Sequence, residues 1–463
     1  MRPGPPPSLA QIAGDLAAGR TSARALLDAA CARHARWDGV LHAYRSWAGE
    51  AARDAAAAAD AALAAGDPAG PLHGIPVSVK DLFGVAGLPT FAGTARRLPP
   101  AWESEGPIVA AIRRQGGVLV GKTHTTEFAL SALGTNPYGA APRNPWDARH
   151  HRSAGGSSSG AGVSLAEGSA LIALGTDTMG SVRIPASVTG TVGVKTSIGR
   201  WPTAGVVPLS PTFDTVGLLA RSVADAAYAF AALDAEAPRP PEASALVIGI
   251  ADTAAWSACA PSIARVAKAA LDEAARAGVR LRPAALPEAD AAFDFVCDGT
   301  VAVAEFDAFL AAELPDWRAL IQPATRALAD RGAAASARAY LQDRARQRAL
   351  CAAAAGRFDA AAVLAAPTVP LPPPRIDAPL PPGEARRLHL AMLRSSCVAN
   401  CLGLCAVTLP VGLDDEGLPV GLELIGRYSD DARVIGAALA LERILGTAAD
   451  RLDVPPLLHG APG

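Results

Sequence analysis

The chain has 463 residues, half of them hydrophobic, and its formal net charge at pH 7 is −2. That length suggests two or three domains, and the near-neutral charge excludes the basic field typical of nucleic-acid binding. No apolar run reaches the roughly 18 residues that a membrane helix needs, and residues 1–7 lack the apolar core of a signal peptide. We therefore expect a soluble, cytoplasmic protein with no membrane or nucleic-acid partner.

Apolar periodicity, taken in chain order, predicts helices and strands that alternate. Residues 8–66 are expected to be helical. Further helices are predicted at 107–115, 222–233, 262–277 and 334–357, with another beginning at Glu127. Strands are predicted at 75–80, 118–120 and 246–250, within 192–220, and from Phe358-Asp359 into Pro367. This alternation indicates an α/β fold.

Lys80 ends the predicted strand 75–80, whose other residues have the character of core. A lysine in such a place usually extends its charged end to the surface, and that interpretation is preferred when the strand is considered alone. Two serine-containing loops further along the chain reverse the preference.

Residues 116–123 match the phosphate-binding pattern Gly-x4-Gly-Lys-Thr. That mechanism needs an apolar strand before the first glycine and a loop at the variable positions. Here the charged end of a helix (Arg113, Arg114, Gln115) comes first, and a predicted strand fills the variable positions. We therefore do not expect this segment to bind a nucleotide.

Two glycine-flanked serine loops lie near the middle of the chain. Residues 155–160 are Gly-Gly-Ser-Ser-Ser-Gly, and residues 175–185 are Gly-Thr-Asp-Thr-Met-Gly-Ser-Val-Arg-Ile-Pro. Glycine allows backbone conformations that present N–H groups to a negative atom. Apolar residues between the loops, such as Leu165 and Leu174, predict a buried helix and strand. The loops are therefore expected to be anchored on a core rather than to form a linker.

These loops, together with Gly-Ile-Pro-Val-Ser-Val-Lys-Asp at residues 74–81, resemble the amidase signature family of serine hydrolases. The resemblance implies one compact α/β domain around a large mixed twisted sheet flanked by helices, in place of the two domains suggested by length. Within residues 1–463 we expect an N-terminal helical part at 1–70, a catalytic core at 71–235, a variable substrate-funnel region at 236–390 and a C-terminal part of the core at 391–463.

The resemblance implies an amidohydrolase that cleaves a small carboxamide through a seryl acyl-enzyme and releases ammonia or an amine. Ser181 would be the nucleophile, Ser157 the bridging residue and Lys80 the base. The proton would pass from Ser181 through Ser157 to a neutral Lys80 amine and then to the leaving group. Because the ordinary lysine pKa is about 10.4, the buried strand end must lower it to about 7–8. No cofactor and no metal are implied.

The same resemblance assigns the oxyanion hole to the backbone N–H groups of Thr178, Met179, Gly180 and Ser181. It also implies a cis peptide bond between Gly156 and Ser157. Met179 stands where many relatives have glycine, and we expect its side chain to exclude bulky acyl groups.

Several neighbouring residues are assigned supporting roles. Asp177 and Arg183 are expected to pair and brace the nucleophile loop rather than contact substrate. Gly156 and Ser158 belong to the first serine loop, in which Ser158 also fits the nucleophile elbow Gly-x-Ser-x-Gly. That elbow must follow a strand, whereas residues 148–152 do not have the sequence of one, so the elbow interpretation is not favoured.

The histidines and cysteines near these motifs allow two interpretations each. We expect His124, His150 and His151 to lie in exposed loops, with reach into the substrate funnel as the alternative. The seven cysteines are an odd number without a Cys-x-x-Cys pair, which is typical of a reducing compartment. Cys397, Cys401 and Cys405 recur at every fourth position, and buried packing is favoured over a metal site because their neighbours are apolar. Cys405 also replaces a proline that is common in the family.

Two other functions stay open at this point. One is the glutaminase A-type subunit of a tRNA-dependent amidotransferase, although residues 394–396 do not resemble that group. The other is a non-catalytic scaffold with the amidase fold, which the presence of Lys80, Ser157 and Ser181 argues against. The partner expected in either enzymatic case is a small-molecule amide, and a homodimer is compatible with the sequence.

Overall fold

A computed structural model describes residues 6–358 and 361–459. Residues 1–5, which include most of the N-terminal stretch considered for a signal peptide, lie outside the described residues, as does Asp359 of the strand predicted from 358. One sheet of eleven strands runs through the described chain, so the sequence forms a single α/β domain. This confirms the fold class predicted from the resemblance.

The sheet has the strand order β1-β3-β2-β4-β6-β5-β10-β11-β9-β7-β8 and is mixed. The strands are β1 Tyr44–Trp47, β2 Pro76–Lys80, β3 Val118–Thr123, β4 Ile172–Asp177, β5 Val192–Lys195, β6 Thr215–Ala220, β7 Val247–Ala251, β8 Arg280–Ala284, β9 Val363–Pro367, β10 Cys405–Leu413 and β11 Pro419–Gly426.

Seventeen α-helices are present in the described part of the chain. They are α1 Leu9–Ala17, α2 Ala23–Leu41, α3 Gly49–Ala64, α4 Pro107–Arg114, α5 Ser159–Glu167, α6 Arg183–Thr189, α7 Val223–Leu233, α8 Ala254–Ser257, α9 Pro261–Arg276, α10 Glu288–Asp298, α11 Thr300–Glu313, α12 Pro323–Ala333, α13 Ala337–Ala355, α14 Pro382–Leu393, α15 Cys397–Cys401, α16 Asp431–Leu445 and α17 Ala448–Arg451. Among the described residues, none of these combines the length and apolar character that crossing a membrane requires.

Serine side chains start several of these helices. Ser22, Ser222 and Ser336 each accept a hydrogen bond from a backbone N–H group in the first turn of α2, α7 and α13. Such caps satisfy donors that have no partner within the helix. The serine positions therefore explain where these three helices begin.

The directions of the central strands bring several polar residues to one edge of the sheet. β2 is parallel to β4, and β6 is antiparallel to both β4 and β5, so β4 and β5 run the same way. β10 is antiparallel to β5 and β11, which places its first residue at the same edge. Lys80, Asp177 and Lys195 end β2, β4 and β5 at this edge.

The central strands are covered on both faces. Every residue of β2, β4, β6 and β11 is buried, as expected for strands packed between layers of helices. Helix α6, which follows the second serine loop, is also buried along its whole length. Polar groups at this sheet edge therefore lie in surroundings of low polarity.

Most of the predicted elements are confirmed within a few residues, including β2, α4, α7, α9 and α13. The helix predicted to begin at Glu127 is wrong, because Glu127–Ala129 form one 3-10 turn with Phe128 at a φ of 45°. Strand β1 interrupts the stretch 8–66 that was predicted to be helical. The strand predicted at 118–120 is confirmed and extends to Thr123 as β3, and Lys122 Nζ lies 2.8 Å from Asp81 Oδ1.

Candidate active site

Lys80, at the end of β2, is fully buried and faces two hydroxyl groups. Its Nζ lies 2.6 Å from Ser157 Oγ and 2.8 Å from Thr176 Oγ1. Burial lowers the Lys80 pKa from 10.5 to about 7, although the carboxylates of Asp177 and Asp214 act in the opposite direction. A large fraction of the amine is therefore neutral near pH 7, which the sequence-based mechanism requires.

Ser157 and Ser181 come from the two serine loops, which meet at the start of α5. The peptide bond between Gly156 and Ser157 is cis. The Ser158 N–H group donates to the Ser181 carbonyl oxygen at 3.2 Å, so the loops are joined through their backbones. Ser157 is fully buried, whereas 6% of Ser181 is exposed. The Ser181 hydroxyl makes no hydrogen bond to a residue of the described chain.

The side chain of Asp177 organises the loop that carries Ser181. Its carboxylate accepts hydrogen bonds from the N–H groups of Gly180 at 2.7 Å and Val182 at 3.1 Å. Arg183 donates to the same carboxylate through Nε and Nη2, both at 3.0 Å. Burial by itself would raise the Asp177 pKa, but the Arg183 charge and these hydrogen bonds hold it well below the ordinary value. The pairing of Asp177 with Arg183 predicted from the sequence is confirmed.

Arg183 is fully buried and has two further partners, which sequence analysis did not identify. Nη1 pairs with the Glu423 carboxylate on β11, and Nη2 donates to Asn400 Oδ1 at 2.6 Å. Asn400 in turn donates to Asp177 Oδ1 at 3.0 Å. The nucleophile loop is thus held from behind by a closed set of charge-assisted hydrogen bonds.

Not all of the backbone N–H groups assigned to the oxyanion hole are free. Gly180 N–H is occupied by Asp177. Gly180 has a φ of 118°, and a Cβ atom there would lie 2.1 Å from Ser396 Oγ, so this position requires glycine. Among the described residues, the N–H groups of Thr178, Met179 and Ser181 have no acceptor.

Asp214, which precedes β6, is a further polar residue of the site that the sequence did not reveal. Its carboxylate accepts from Thr178 Oγ1 at 2.6 Å and from the N–H groups of Leu209 and Ser210, both at 2.9 Å. Desolvation raises the Asp214 pKa to about 6 despite these hydrogen bonds and the Lys80 charge. Asp214 lines a small cavity of about 40 Å³ together with Thr176 and Thr178.

Met179 is half-buried and packs against an apolar cluster that includes residues of α14. Ser396 Oγ donates to the Met179 carbonyl oxygen at 3.2 Å, which holds the residue against the segment before α15. Ser158 is buried and donates through Oγ to the Thr176 carbonyl oxygen at 3.4 Å. The residue before Gly156 belongs to no strand, so the nucleophile-elbow geometry is not present.

The three histidines differ in exposure. His124 was expected in an exposed loop but is buried, and burial, followed by the charge of Arg45, lowers its pKa to about 4. The expectation was wrong because the backbone around His124 packs against α5, where Gly160 N–H donates to the His124 carbonyl oxygen at 3.0 Å. His150 and His151 are partly exposed in a loop, and His150 N–H donates to Asp147 at 2.9 Å.

The cysteine repeat is buried, as predicted. Cys397, Cys401 and Cys405 are each at most 1% exposed and pack in apolar clusters. Cys405 begins β10, pairs with Gly426 across the sheet, and donates from Sγ to the Arg427 carbonyl oxygen at 3.0 Å. The absence of the family's proline is therefore accommodated by regular strand structure.

Comparison with known proteins gives consistent matches over most of the chain. A family model described as Amidase matches residues 25–435. The 2-amino-5-chloromuconic acid deaminase of Comamonas testosteroni is 46% identical over 455 residues, which cover 97% of this chain and 98% of that protein. The A-type subunit of the glutamyl-tRNA(Gln) amidotransferase of Anaeromyxobacter sp. (strain K) is 32% identical, with 97% of each chain covered.

Solved structures agree in the fold. A crystal structure of an amidase superposes with a TM-score of 0.85 at 31% identity and covers 95% of this chain and 100% of that chain. The native peptide amidase from Stenotrophomonas maltophilia superposes with a TM-score of 0.79 at 26% identity, with 97% and 98% covered.

Proposed function

The chain belongs to the amidase signature family and is a hydrolase of amide C–N bonds, and we propose that Ser181, Ser157 and Lys80 perform this hydrolysis through an acyl-enzyme. The observation that carries the proposal is the contact of 2.6 Å between Lys80 Nζ and Ser157 Oγ, made by an amine whose pKa is about 7. A serine hydroxyl attacks an amide only when a base accepts its proton.

The proposed proton path uses the hydroxyl of Ser157 as a relay. Ser181 Oγ attacks the amide carbon and transfers its proton to Ser157 Oγ, while the Ser157 proton moves to the neutral Lys80 amine. When the C–N bond breaks, the same path returns one proton to the leaving nitrogen. Water then attacks the Ser181 ester, transfers a proton along the path, and releases the acid and the free serine.

We further propose that the oxyanion is stabilised by the N–H groups of Thr178, Met179 and Ser181. Because Gly180 N–H already donates to Asp177, its role in this proposal is to keep the loop closed rather than to bind the oxyanion. Each such donor is typically worth about 10²–10³ in rate. Asp214 supports the arrangement because it holds the Thr178 side chain at 2.6 Å.

The substrates proposed are small molecules that lose ammonia. The name of the Comamonas testosteroni relative describes removal of the amino group from a chlorinated aminomuconic acid, which is a dicarboxylic acid. Small carboxamides test the acyl-enzyme route. Unsaturated amino dicarboxylic acids, whose amino group is not part of an amide, form a separate arm of the panel, and ammonia release from them would need a step other than acyl transfer to Ser181. A cytoplasmic location and a homodimer remain predictions of the sequence.

The glutaminase function is the second candidate. It has support in the 32% identity to the A-type subunit of the glutamyl-tRNA(Gln) amidotransferase, which extends over 97% of this chain. The 46% identity to the deaminase, against 32% to the amidotransferase subunit, favours a small-molecule hydrolase. A non-catalytic scaffold is not supported, since Lys80 and Ser157 retain their hydrogen bond.

The decisive experiment combines ammonia release with labelling of the nucleophile. A fluorophosphonate should label Ser181, as identified by mass spectrometry, and Ser181→Ala should abolish both labelling and ammonia release. Ser257→Ala is the control because Ser257 is an exposed serine of α8, away from both serine loops. Labelling of any other serine, or full turnover by Ser181→Ala, would overturn the assignment.

A further inference from the structure

A larger cavity opens at the same sheet edge, between the ends of β5 and β11 and helices α13 and α15. Its volume is about 530 Å³, within the range of about 300–1,000 Å³ that is usual for small-ligand sites. We call it the basic cavity, and its polar lining includes Lys195, Thr212, Arg344, Gln347, Asn400 and Arg427. Lys80, Ser157 and Ser181 do not line it.

The charged side chains of this lining all have the same sign. Lys195, Arg344 and Arg427 are basic, and the lining residues that belong to the described part of the chain include no aspartate or glutamate. Arg344 has no carboxylate within ion-pair distance in the described part of the chain. Its Nη1 donates to Gln347 Oε1 at 3.3 Å, which orients the guanidinium along the cavity wall.

Lys195 is a buried hydrogen-bond donor in the lining of this cavity. Its side chain is 1% exposed, and Nζ donates to the carbonyl oxygens of Thr196 at 2.9 Å and Leu404 at 2.7 Å. An ammonium group carries three hydrogens, and the third has no acceptor among the described residues. Burial, followed by the Arg183 charge, lowers the Lys195 pKa to about 8, so the group is still mostly protonated at pH 7.

Three carboxylates near the cavity have other donors as partners. Asp431, whose charge acts on Lys195, accepts from the Ser197 N–H group at 2.6 Å. Asp177 lies behind Asn400 and is paired with Arg183. Glu305 accepts from Thr212 N–H at 3.1 Å and from Tyr340 Oη at 2.8 Å. Lys195 and Arg344 therefore bring positive charge to the basic cavity, and its described lining residues include no aspartate or glutamate.

We propose that the basic cavity binds a small organic carboxylate at a site separate from the catalytic serines. The planar guanidinium of Arg344 matches a carboxylate through two parallel N–H donors, and Lys195 offers its third N–H to the ligand. The volume is too large for a single inorganic ion and suits a molecule with a carbon skeleton. The inference goes beyond the proposed catalytic function and does not depend on it.

The test is calorimetric titration of succinate into the full-length Ser181→Ala chain, which removes turnover from the measurement. Binding should be observed, and adding Arg344→Gln should weaken it by at least about tenfold, since hydrogen bonds to charged groups are the stronger class. Arg348→Gln is the matched control because Arg348 is an exposed arginine of α13 outside the cavity lining.

Three outcomes would overturn the inference. They are the absence of succinate binding to the Ser181→Ala chain, equal weakening by Arg344→Gln and Arg348→Gln, and unchanged affinity in Arg344→Gln. Arg344 is half-buried on a surface helix, and circular dichroism of each variant verifies that a loss of affinity is not a loss of fold. Because Ser181 is absent throughout, failure of the catalytic proposal leaves this test unaffected.

Discussion

Replacing Lys80 by methionine is expected to abolish hydrolysis and to change the pH dependence of stability. Burial lowers the Lys80 pKa from 10.5 to about 7, so between these values the unfolded chain binds more protons than the folded chain. The free energy of unfolding therefore rises with pH across this window as the buried amine loses its proton. Below about pH 7 the amine is charged in both states, and the folded chain bears the whole destabilisation of a buried ammonium group. At 1.36 kcal/mol per pH unit the total corresponds to roughly 4–5 kcal/mol.

Methionine does not titrate, so only the wild type gains stability from position 80 as the pH rises. Compared with the wild type, the variant should therefore be most stable at neutral pH and less so at alkaline pH. The hydroxyls of Ser157 and Thr176 lose a partner at every pH, at about 1–3 kcal/mol each, which shifts the absolute difference but not its pH dependence. The free energy of unfolding of Lys80→Met minus that of the wild type, measured by chemical unfolding, should therefore fall by about 3–4 kcal/mol between about pH 7 and about pH 10. Ser181→Ala, also inactive, should show no such change. Parallel stability curves for Lys80→Met and the wild type would refute a lowered Lys80 pKa.

Three further substitutions test other parts of the site. Asp214→Asn should move the acid limb of the kcat/KM profile to lower pH by roughly one unit, because the Asp214 charge raises the Lys80 pKa; an unmoved limb would contradict this coupling. Met179→Gly should raise kcat/KM for bulky acyl amides relative to small ones by about tenfold, and an unchanged chain-length series would argue against steric exclusion. Arg183→Met leaves the Asp177 charge buried and should lower the free energy of unfolding by about 3–5 kcal/mol, measured in denaturant; a loss comparable to that of a surface pair would show that the pair is dispensable.

The sequence was informative where the chemistry depends on residues close together in the chain. Lys80 at the end of an apolar β-branched run and the two glycine-rich serine loops could be identified because each motif is local, and the structure places all three at one sheet edge. The pair of Asp177 and Arg183 was predictable for the same reason, since six positions separate them.

Residues whose partners are distant in the chain were missed. Glu423 pairs with Arg183 across 240 positions, and Thr176 meets Lys80 across 96. Neither contact leaves a local pattern, because it arises from strand order in the sheet. The wrong helix at Glu127 has a similar origin: the Phe128 N–H group donates to the Ala92 carbonyl oxygen at 2.8 Å, and this tertiary contact replaces a helical one.

Burial alone does not distinguish a catalytic base from a structural cation, and the two lysines at this sheet edge show why. Lys195 donates to two carbonyl oxygens, which only accept hydrogen bonds and therefore favour the charged ammonium. Lys80 faces the hydroxyls of Ser157 and Thr176, which can donate to a neutral amine as readily as they accept from a charged one. A neutral Lys80 amine can therefore accept a hydrogen bond from the Ser157 hydroxyl through its lone pair. A neutral Lys195 amine would keep two N–H groups for its two carbonyl partners, but neither partner could donate to its lone pair. The hydroxyl partners, together with burial, support the proposal that Lys80 rather than Lys195 takes up and returns the proton during amide cleavage.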